Sequence, residues 1–263
     1  STNGLFLHHC KLNKGELKKG DKVELFVDVK NRFATMRNHT ATHLLHKALK
    51  VVLGDHIQQA GSLVSPDRLR FDFNHFAQVS KEELMKVEQL VNEQIYNAID
   101  VQTQVMDIED AKKTGAMSLF DEKYGETVRV LSIGEFSKEF CGGTHVKNSN
   151  EIGMFKIVSE GGVASGVRRI EAITGYSGYN FIVEKQELIE NVSSTLKTSQ
   201  DNLQKRASDL MAENKNLQKK IKEVQSAGAK TDIDSVIKSA KKIKDANLVI
   251  SSFEDMEDDI LRD

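Results

Sequence analysis

The pattern of apolar residues changes near Gly175-Tyr176, and this change limits the architectures open to the chain. Before this point, short runs rich in β-branched and aromatic residues alternate with two strong helical patterns. After it, the chain is mostly polar with helical spacing. A length of 263 residues suits one or two domains with an extension. The sequence therefore predicts an α+β domain followed by a long helical arm.

The first 35 residues predict a β-rich segment that leads into the α+β domain. Residues 23–29 place valine or leucine at every second position, as a strand with one apolar face does. A helix is then predicted from about Arg37 to Leu53, because apolar residues recur there at helical spacing. Cys10 has no neighbour at a ligand spacing, so we expect a small residue that is at least half buried.

Residues 36–175 carry the remaining signals of the α+β domain. A hairpin is predicted around Ser65-Pro66-Asp67-Arg68, which supplies turn residues between two apolar stretches. Ser80 and Glu83 form the Ser-x-x-Glu pattern of a capping box and predict the start of a second helix. Four further strands are predicted, at residues 101–106, 128–133, 154–159 and 168–174.

A heptad pattern marks the arm, which we expect over residues 176–229. Leucine or valine recurs at every seventh position from Leu196 to Val224, which predicts one long helix over residues 186–225 that ends at Ala227-Gly228-Ala229. The seam is half polar, which favours a helical hairpin or arm packed against something else, but self-association as a coiled coil stays open. Residues 230–263 predict a helix, a short strand and a helix, as the start of a truncated C-terminal domain.

Composition excludes some classes of protein and leaves others open. No apolar run is long enough to span a bilayer and the N-terminus lacks the features of a signal peptide, so we expect a cytoplasmic protein with no membrane partner. Two distant cysteines cannot form a disulfide framework. The net charge of −2 does not indicate a nucleic-acid binder, although a local basic patch would suffice for one.

Four residues have the spacing of a metal site. His39 and His43 are four positions apart and share one helix face, and Cys141 and His145 are separated by two glycines that allow a sharp turn. Three imidazoles and a thiolate suit zinc (Zn²⁺). A helical histidine pair is more often a surface or core feature, however, and on spacing alone a metal site and a plain turn are equally supported. The other five histidines have no chelating partner in the sequence and are expected to be structural or exposed: His8, His9, His46, His56 and His75.

Two segments resemble the signature motifs of the editing domain of alanyl-tRNA synthetases, namely residues 37–46 (RNHTATHLLH) and 140–146 (FCGGTHV). Three more blocks agree in the same order: residues 59–64 (QAGSLV), 69–76 (LRFDFNHF) and 166–172 (GVRRIEA). The resemblance runs from about Phe6 to Gly175. A related domain of threonyl-tRNA synthetases shares the helical histidine pair, but the cysteine motif is similar to the alanyl branch.

The resemblance implies a zinc-dependent hydrolase that removes wrongly attached serine or glycine from the acceptor end of tRNA(Ala). It implies that His39, His43, Cys141 and His145 hold zinc. It further implies that Thr42 and Gln59 occupy positions that discriminate between amino acids. Thr144 and its flanking glycines are equally well explained as donors to a developing oxyanion or as residues that only shape the turn.

The resemblance leaves other functions open. A freestanding editing protein shares the same motifs, and a non-catalytic zinc-containing module that binds tRNA, or an oligomerisation fragment, would also explain parts of the sequence. No segment resembles the aminoacylation domain, so we expect neither ATP binding nor aminoacylation from this chain. Four arginines are candidate phosphate contacts with tRNA, because guanidinium groups suit phosphate geometry. These are Arg68, Arg70, Arg168 and Arg169.

Overall fold

The computed structural model describes residues 7–117 and 125–250, and for residues 225–236 it describes the backbone only. The chain divides into two compact units, Ser1–Phe181 and Ile182–Asp263. Five α-helices are described: α1 (Val29–Leu53), α2 (Lys81–Tyr96), α3 (Ile108–Lys113), α4 (Gly175–Thr195) and α5 (Leu203–Lys238). The described strands are β1 (Gln59–Val64), β2 (Leu69–Asn74), β3 (Val101–Asp107), β4 (Thr127–Ile133), β5 (Ser137–Phe140), β6 (Phe155–Ala164), β7 (Val167–Thr174), β8 (Lys241–Ile243) and β9 (Ala246–Leu248).

A four-stranded antiparallel sheet and two helices enclose the main core of the first unit. Its strand order is β1-β2-β7-β6. In β2, Leu69, Phe71 and Phe73 are fully buried and alternate with polar residues, as expected for a sheet with one face on the core. Helix α1 contributes buried residues at positions i, i+3, i+4, i+7 and i+8, which is the spacing of one helix face: Ala41, Leu44, Leu45, Ala48 and Leu49. The α+β prediction is confirmed for this unit.

Helix α1 is about two turns longer than the sequence predicts. It begins at Val29 rather than near Arg37, and the carboxylate of Asp28 accepts a hydrogen bond from the backbone N–H of Asn31. An aspartate at this position satisfies one of the free N–H groups at the helix start. The predicted end at Leu53 is confirmed, and Gly54 follows with a positive φ of 115°.

The predicted β-rich segment at the N-terminal end is wrong for the residues described. Among residues 7–28 no strand forms, and Val29 belongs to α1. The alternating apolar side chains are exposed, with Leu25 at 72% and Val27 at 54%. A strand needs a neighbour for its backbone hydrogen bonds, and none of the described residues pairs with this segment. Cys10, in the same segment, is also exposed, which corrects the expectation that it is at least half buried.

The hairpin and the capping box are confirmed. Strands β1 and β2 pair in antiparallel register around the predicted turn, in which Ser65 and Arg68 exchange backbone and side-chain hydrogen bonds. The Ser80 hydroxyl accepts from the Glu83 backbone N–H, and the Glu83 carboxylate accepts from the Ser80 backbone N–H. Two N–H groups at the start of α2 are thereby satisfied.

A smaller antiparallel sheet, of order β3-β4-β5, adds a second core to the first unit. Its buried residues are Ala111, Val128, Val130 and Phe140. The sequence predicts β3 and β4 but misses α3 and β5. Strand β5 has four residues, so it is too short for alternation to be recognised, yet it leads directly into Cys141 and so positions the cysteine motif.

The arm is two helices rather than one. Helix α4 ends at Thr195, and Lys197 takes a left-handed conformation with φ of 50°. Helix α5 runs on to Lys238, so the predicted end at residues 227–229 is also wrong. Strands β8 and β9 form a short hairpin that includes Leu248, the first residue of the strand predicted at residues 248–250, whereas the helix predicted after residue 250 lies outside the described residues.

Within the described part of the chain, no helix combines the length and the apolar character that a membrane crossing would need.

Candidate metal centre

The four residues of the predicted metal site lie together in the structure. His39 and His43 project from one face of α1, and Cys141 and His145 come from the loop that follows β5. Their candidate ligand atoms all lie within 4.8 Å of one another. The Cys141 Sγ lies 3.5 Å from His39 Nε2 and 3.3 Å from His145 Nε2. Residues more than 95 positions apart in sequence thus form one group that can hold a metal ion.

Two of the separations between these atoms suit a tetrahedral zinc ion. Zinc bonds of about 2.0 Å to nitrogen and about 2.3 Å to sulfur place a nitrogen and a sulfur ligand about 3.5 Å apart. The two sulfur–nitrogen distances are close to this value. His43 Nε2 is buried and has no hydrogen-bond partner among the described residues. A buried polar atom without a partner is costly, and a metal ion would satisfy it.

Two of the ligand histidines are oriented by hydrogen bonds at their second ring nitrogen. His43 Nδ1 lies 2.5 Å from a carboxylate oxygen of Glu139, which is 1% exposed. His145 Nδ1 lies 3.2 Å from the hydroxyl of Thr40. That hydroxyl donates its hydrogen to the Met36 carbonyl, so it can only accept from His145. Both rings therefore turn an unprotonated Nε2 towards the group of ligands when the imidazole is neutral.

The loop that carries Cys141 is held by Arg129 and by a close approach at Gly143. The Arg129 guanidinium on β4 donates to the carbonyl oxygens of Cys141, at 3.0 Å, and of Gly143, at 2.5 Å. A Cβ atom added to Gly143 would overlap the His39 ring. The second glycine of the motif is thus required by the space that the imidazole occupies, whereas nothing lies within 4 Å of a Cβ at Gly142.

The electrostatics favour an anionic sulfur. Burial opposes the thiolate of Cys141, but the neighbouring imidazoles of His145, His39 and His43 stabilise it and lower its pKa to about 3. Burial also lowers the pKa of His145, to about 4, which keeps that ring neutral. For His43, burial is outweighed by the charge of Glu139, and the pKa rises to about 9. A thiolate and a neutral imidazole are the forms in which these groups bind metal.

The residues predicted to discriminate between amino acids make hydrogen bonds to nearby residues of the chain. The buried hydroxyl of Thr42 donates to the Asn38 carbonyl one turn earlier in α1. The side-chain amide of Gln59, at the start of β1, donates to the Ser62 hydroxyl. Thr144 is exposed between Gly143 and His145. The roles of Thr42, Gln59 and Thr144 stay predictions.

Each of the four candidate RNA-binding arginines lies near a carboxylate. Arg168 makes two hydrogen bonds to Glu160, and Arg169 makes two to Asp72. Arg70 lies 3.8 Å from Asp72, and Arg68 lies 3.5 Å from Glu171 with its side chain 57% exposed. These pairs give the arginines a structural role that the sequence does not reveal. Contact with phosphate stays a prediction for all four.

Sequence reasoning misses the residues that support the metal ligands. Glu139, Thr40 and Arg129 were not singled out, and His46 was expected to be structural. Thr40 and His46 do fall within the motif that carries the resemblance. Glu139 lies on a short strand that no sequence pattern predicts. Its role depends on a contact with His46, which lies 93 positions earlier in the chain, so no local pattern indicates it.

Comparison with protein families identifies the class of the first unit. Residues 128–171 match the model described as "Threonyl and Alanyl tRNA synthetase second additional domain". The match includes β4 from its second residue, β5, the loop with Cys141 and His145, and strand β6. The part of the fold that carries the cysteine motif is thus similar to an accessory domain of threonyl- and alanyl-tRNA synthetases.

Comparison with individual proteins then selects the alanyl branch. The chain is 48% identical over its whole length to the alanine–tRNA ligase of Clostridioides difficile (strain 630), of which it covers 30%. It is 49% identical, over 97% of its length, to that of Alkaliphilus oremlandii (strain OhILAs), of which it covers 29%. The chain is thus homologous over nearly its whole length to alanine–tRNA ligases, and it spans about 30% of the length of the curated relatives it matches.

Proposed function

We propose that this chain carries the editing activity of an alanyl-tRNA synthetase, the hydrolysis of mischarged seryl- or glycyl-tRNA(Ala). The observation that carries the proposal is the group formed by His39, His43, Cys141 and His145, in which a buried nitrogen has no hydrogen-bond partner among the residues that the structure describes. The group lies in a chain that is homologous throughout to alanine–tRNA ligases. Three nitrogens and one sulfur are a ligand set that selects zinc over magnesium or calcium.

The chemistry of the proposed reaction is the cleavage of an ester between an amino acid and the terminal ribose. Zinc, when bound, would supply positive charge that either polarises the ester or acidifies a water molecule. The chain itself holds the ligands in place through Glu139 and Thr40, and the exposed Thr144 offers a hydroxyl beside the site. Four protein ligands resemble a closed structural site, so either one ligand yields, or a fifth position opens, or the metal only organises the pocket.

We propose the acceptor end of tRNA(Ala) as the partner of the first unit. Arg68 is the strongest of the four arginine candidates, because its side chain is 57% exposed, which is more than that of any of the other three. The paired Arg168 and Arg169 are weaker candidates, since phosphate would have to displace Glu160 or Asp72. A guanidinium that already makes two bonds to a carboxylate has fewer donors left for phosphate.

Deacylation of seryl-tRNA(Ala) tests the proposal directly. We expect the purified chain to contain about one zinc per molecule. We also expect it to release serine far faster than the ester decays alone, to lose this activity with a chelator and to regain it with added zinc. Cys141→Ala should lose both zinc and activity. Cys10→Ala is the matched control, because this exposed cysteine is absent from the ligand group.

The assay separates the editing activity from one of the two alternatives. A non-catalytic zinc-containing module would bind tRNA(Ala) but leave the ester at its spontaneous lifetime. A freestanding editing protein would edit equally well, and only its parent chain would differ. If Cys141→Ala keeps one zinc and full deacylation, the assignment of that cysteine is wrong.

Discrimination between serine and alanine is proposed to depend on a polar contact. A pocket with room for serine also has room for alanine, so size cannot exclude the correct product. Sites that bind a substrate hydroxyl can reject the analogue without it by roughly 10⁴-fold, because buried polar groups stay unpaired. Thr42→Val and Gln59→Leu should each lower the ratio of seryl to alanyl hydrolysis with zinc content unchanged. Gln58→Leu, at an exposed neighbour, is the control, and an unchanged ratio in both test variants would exclude these residues as readers.

A further inference from the structure

Glu139 is a buried carboxylate that binds two histidines at once. It lies on β5, two residues before Cys141, and is 1% exposed. One oxygen lies 2.5 Å from His43 Nδ1, and the other lies 2.9 Å from His46 Nδ1. Buried carboxylates are rare unless they are paired, so this arrangement calls for an explanation beyond packing.

The positions of the protons follow from the acceptor. An ionised carboxylate only accepts hydrogen bonds, so both imidazoles must donate from Nδ1. In its neutral form, which is the form that binds metal, His43 then has a bare Nε2. This buried nitrogen of the ligand group has no hydrogen-bond partner in the described part of the chain. His46 is absent from that ligand group, so its contribution to the site is the N–H that it donates to Glu139.

We propose that Glu139 is a positioning residue that prepares His43 to bind the metal, and that His46 holds Glu139 in the required orientation. The inference rests on the zinc site of the proposed function. Histidines that bind metals commonly donate their other N–H to a carboxylate, which sets the tautomer, the ring orientation and the basicity of the ligand. Thr40 serves His145 in the same way, through a hydroxyl that can only accept.

The competing explanation is a buried ion pair that stabilises the fold and has no effect on the metal. The two explanations differ in what they predict for the folded protein. A positioning role changes the affinity and the geometry of the metal site. A purely structural role lowers the thermal stability of the metal-free protein and leaves the affinity for metal unchanged.

The first experiment measures metal binding in the full chain without any tRNA. Zinc affinity is obtained by competition with a chromophoric chelator, and the geometry is read from the absorption spectrum of the cobalt(II)-substituted protein. We expect Glu139→Gln to weaken zinc binding by about 10–100-fold, once the affinity is corrected for the proton that zinc displaces from His43, and to alter the cobalt spectrum. Glu135→Gln is the matched control, because it makes the same chemical change four residues away. Glu135 is 92% exposed and pairs with Lys138.

Two variants at His46 test the second half of the proposal and do not depend on how Glu139→Gln folds. His46→Asn keeps an N–H donor near the position of Nδ1, so zinc affinity and the cobalt spectrum should stay close to those of the unmodified chain. His46→Phe keeps the ring without a donor, so both should change as they do in Glu139→Gln. Phenylalanine is closer to histidine in size and shape than asparagine is. A loss of zinc affinity in His46→Phe together with its retention in His46→Asn is therefore not explained by side-chain size.

Several outcomes would overturn the inference. If Glu139→Gln and His46→Phe bind zinc with unchanged affinity and an unchanged cobalt spectrum, Glu139 does not position His43. A lower melting temperature in excess chelator with unchanged zinc affinity has the same meaning. The proposed function fails separately: a chain that binds zinc through this network but does not deacylate seryl-tRNA(Ala) refutes the editing activity alone.

Discussion

The metal centre depends on small residues as much as on its ligands. Gly143 has no room for a side chain because the His39 ring occupies the position where a Cβ would lie. Gly142, its neighbour in the same motif, faces open space. The two glycines look alike in the sequence, and only their surroundings distinguish them.

Gly143→Ala should weaken zinc binding while Gly142→Ala should not. In the first variant either the loop or His39 must move, and the ligand atoms then no longer converge. We expect a loss of affinity on the order of 10–100-fold, comparable to losing the support of a ligand. Competition with a chelator measures the effect, and equal affinities for the two variants would contradict the close approach.

Zinc binding should release a proton from His43. The raised pKa of about 9 means that the metal-free ring is protonated at neutral pH, because Glu139 stabilises the cation against the cost of burial. The pKa values of about 3 for Cys141 and about 4 for His145 mean that these two groups have already lost their protons. Below pH 9 zinc must displace the His43 proton, so affinity should rise with pH by up to about tenfold per unit.

Calorimetry of zinc binding in two buffers with different ionisation enthalpies measures this proton directly. At pH 8 we expect about one proton per zinc from His43, and the release should fall above pH 9, where the ring is already neutral. No proton release at pH 8 would show that His43 is neutral before the metal binds.

Among the secondary-structure elements, α4 ends in a capping motif. The heptad pattern continues through this motif and therefore does not predict the end of the helix. The backbone N–H of Thr198 donates to the Ser193 carbonyl, and that of Lys197 donates to the Ser194 carbonyl. With Lys197 at φ of 50°, these are the hydrogen bonds of a Schellman motif. Glycine usually occupies the left-handed position, and its absence here explains why the sequence predicts one uninterrupted helix.

Lys197→Gly should therefore stabilise the end of α4. Glycine adopts the left-handed conformation without the steric cost that a Cβ incurs, so we expect a gain of about 0.5–1 kcal/mol in local stability. Hydrogen exchange of the last turn of α4 is the measurement. Lys205→Gly, at an exposed position inside α5, is the control and should destabilise its helix by about 1 kcal/mol. Faster exchange in Lys197→Gly would contradict the capping motif.

On the scale of the whole molecule, the two units carry different parts of the proposed function. The first unit, Ser1–Phe181, contains the metal ligands, both described cores and the segment that matches the synthetase family. The division falls a few residues after the boundary predicted near Gly175. The division of the rest into an arm and the start of a C-terminal domain stays a proposal, as does self-association through the arm.

A chain that ends at Phe181 should fold and bind zinc like the complete chain. All of the ligands and their supporting residues precede this point. Circular dichroism, zinc content and deacylation of seryl-tRNA(Ala) are the measurements, and the oligomeric state of both chains tests self-association through the arm. A truncated chain that is folded and loaded with zinc but inactive would show that residues 182–263 help to place the tRNA.

The sequence by itself determined the features that depend on local patterns. The face of α1, the β1–β2 hairpin and the capping box of α2 follow from apolar spacing, turn residues and caps, which act over a few positions. Spacing selected the four candidate ligands, and the resemblance favoured a metal site over a plain turn. Three histidines and a cysteine are residue types that bind zinc.

The tertiary structure decided everything that depends on a distant partner. Residues 23–28 have the alternation of a strand but form none, because no described strand pairs with them. Arg169 lies against Asp72, and Glu139 lies between His43 and His46, through contacts that join residues about 90 or more positions apart. Hydrogen bonds and ion pairs require atoms within a few ångströms. The pairing of β2 with β7 brings Arg169 to Asp72, and the packing of α1 against β5 brings the two histidines to Glu139.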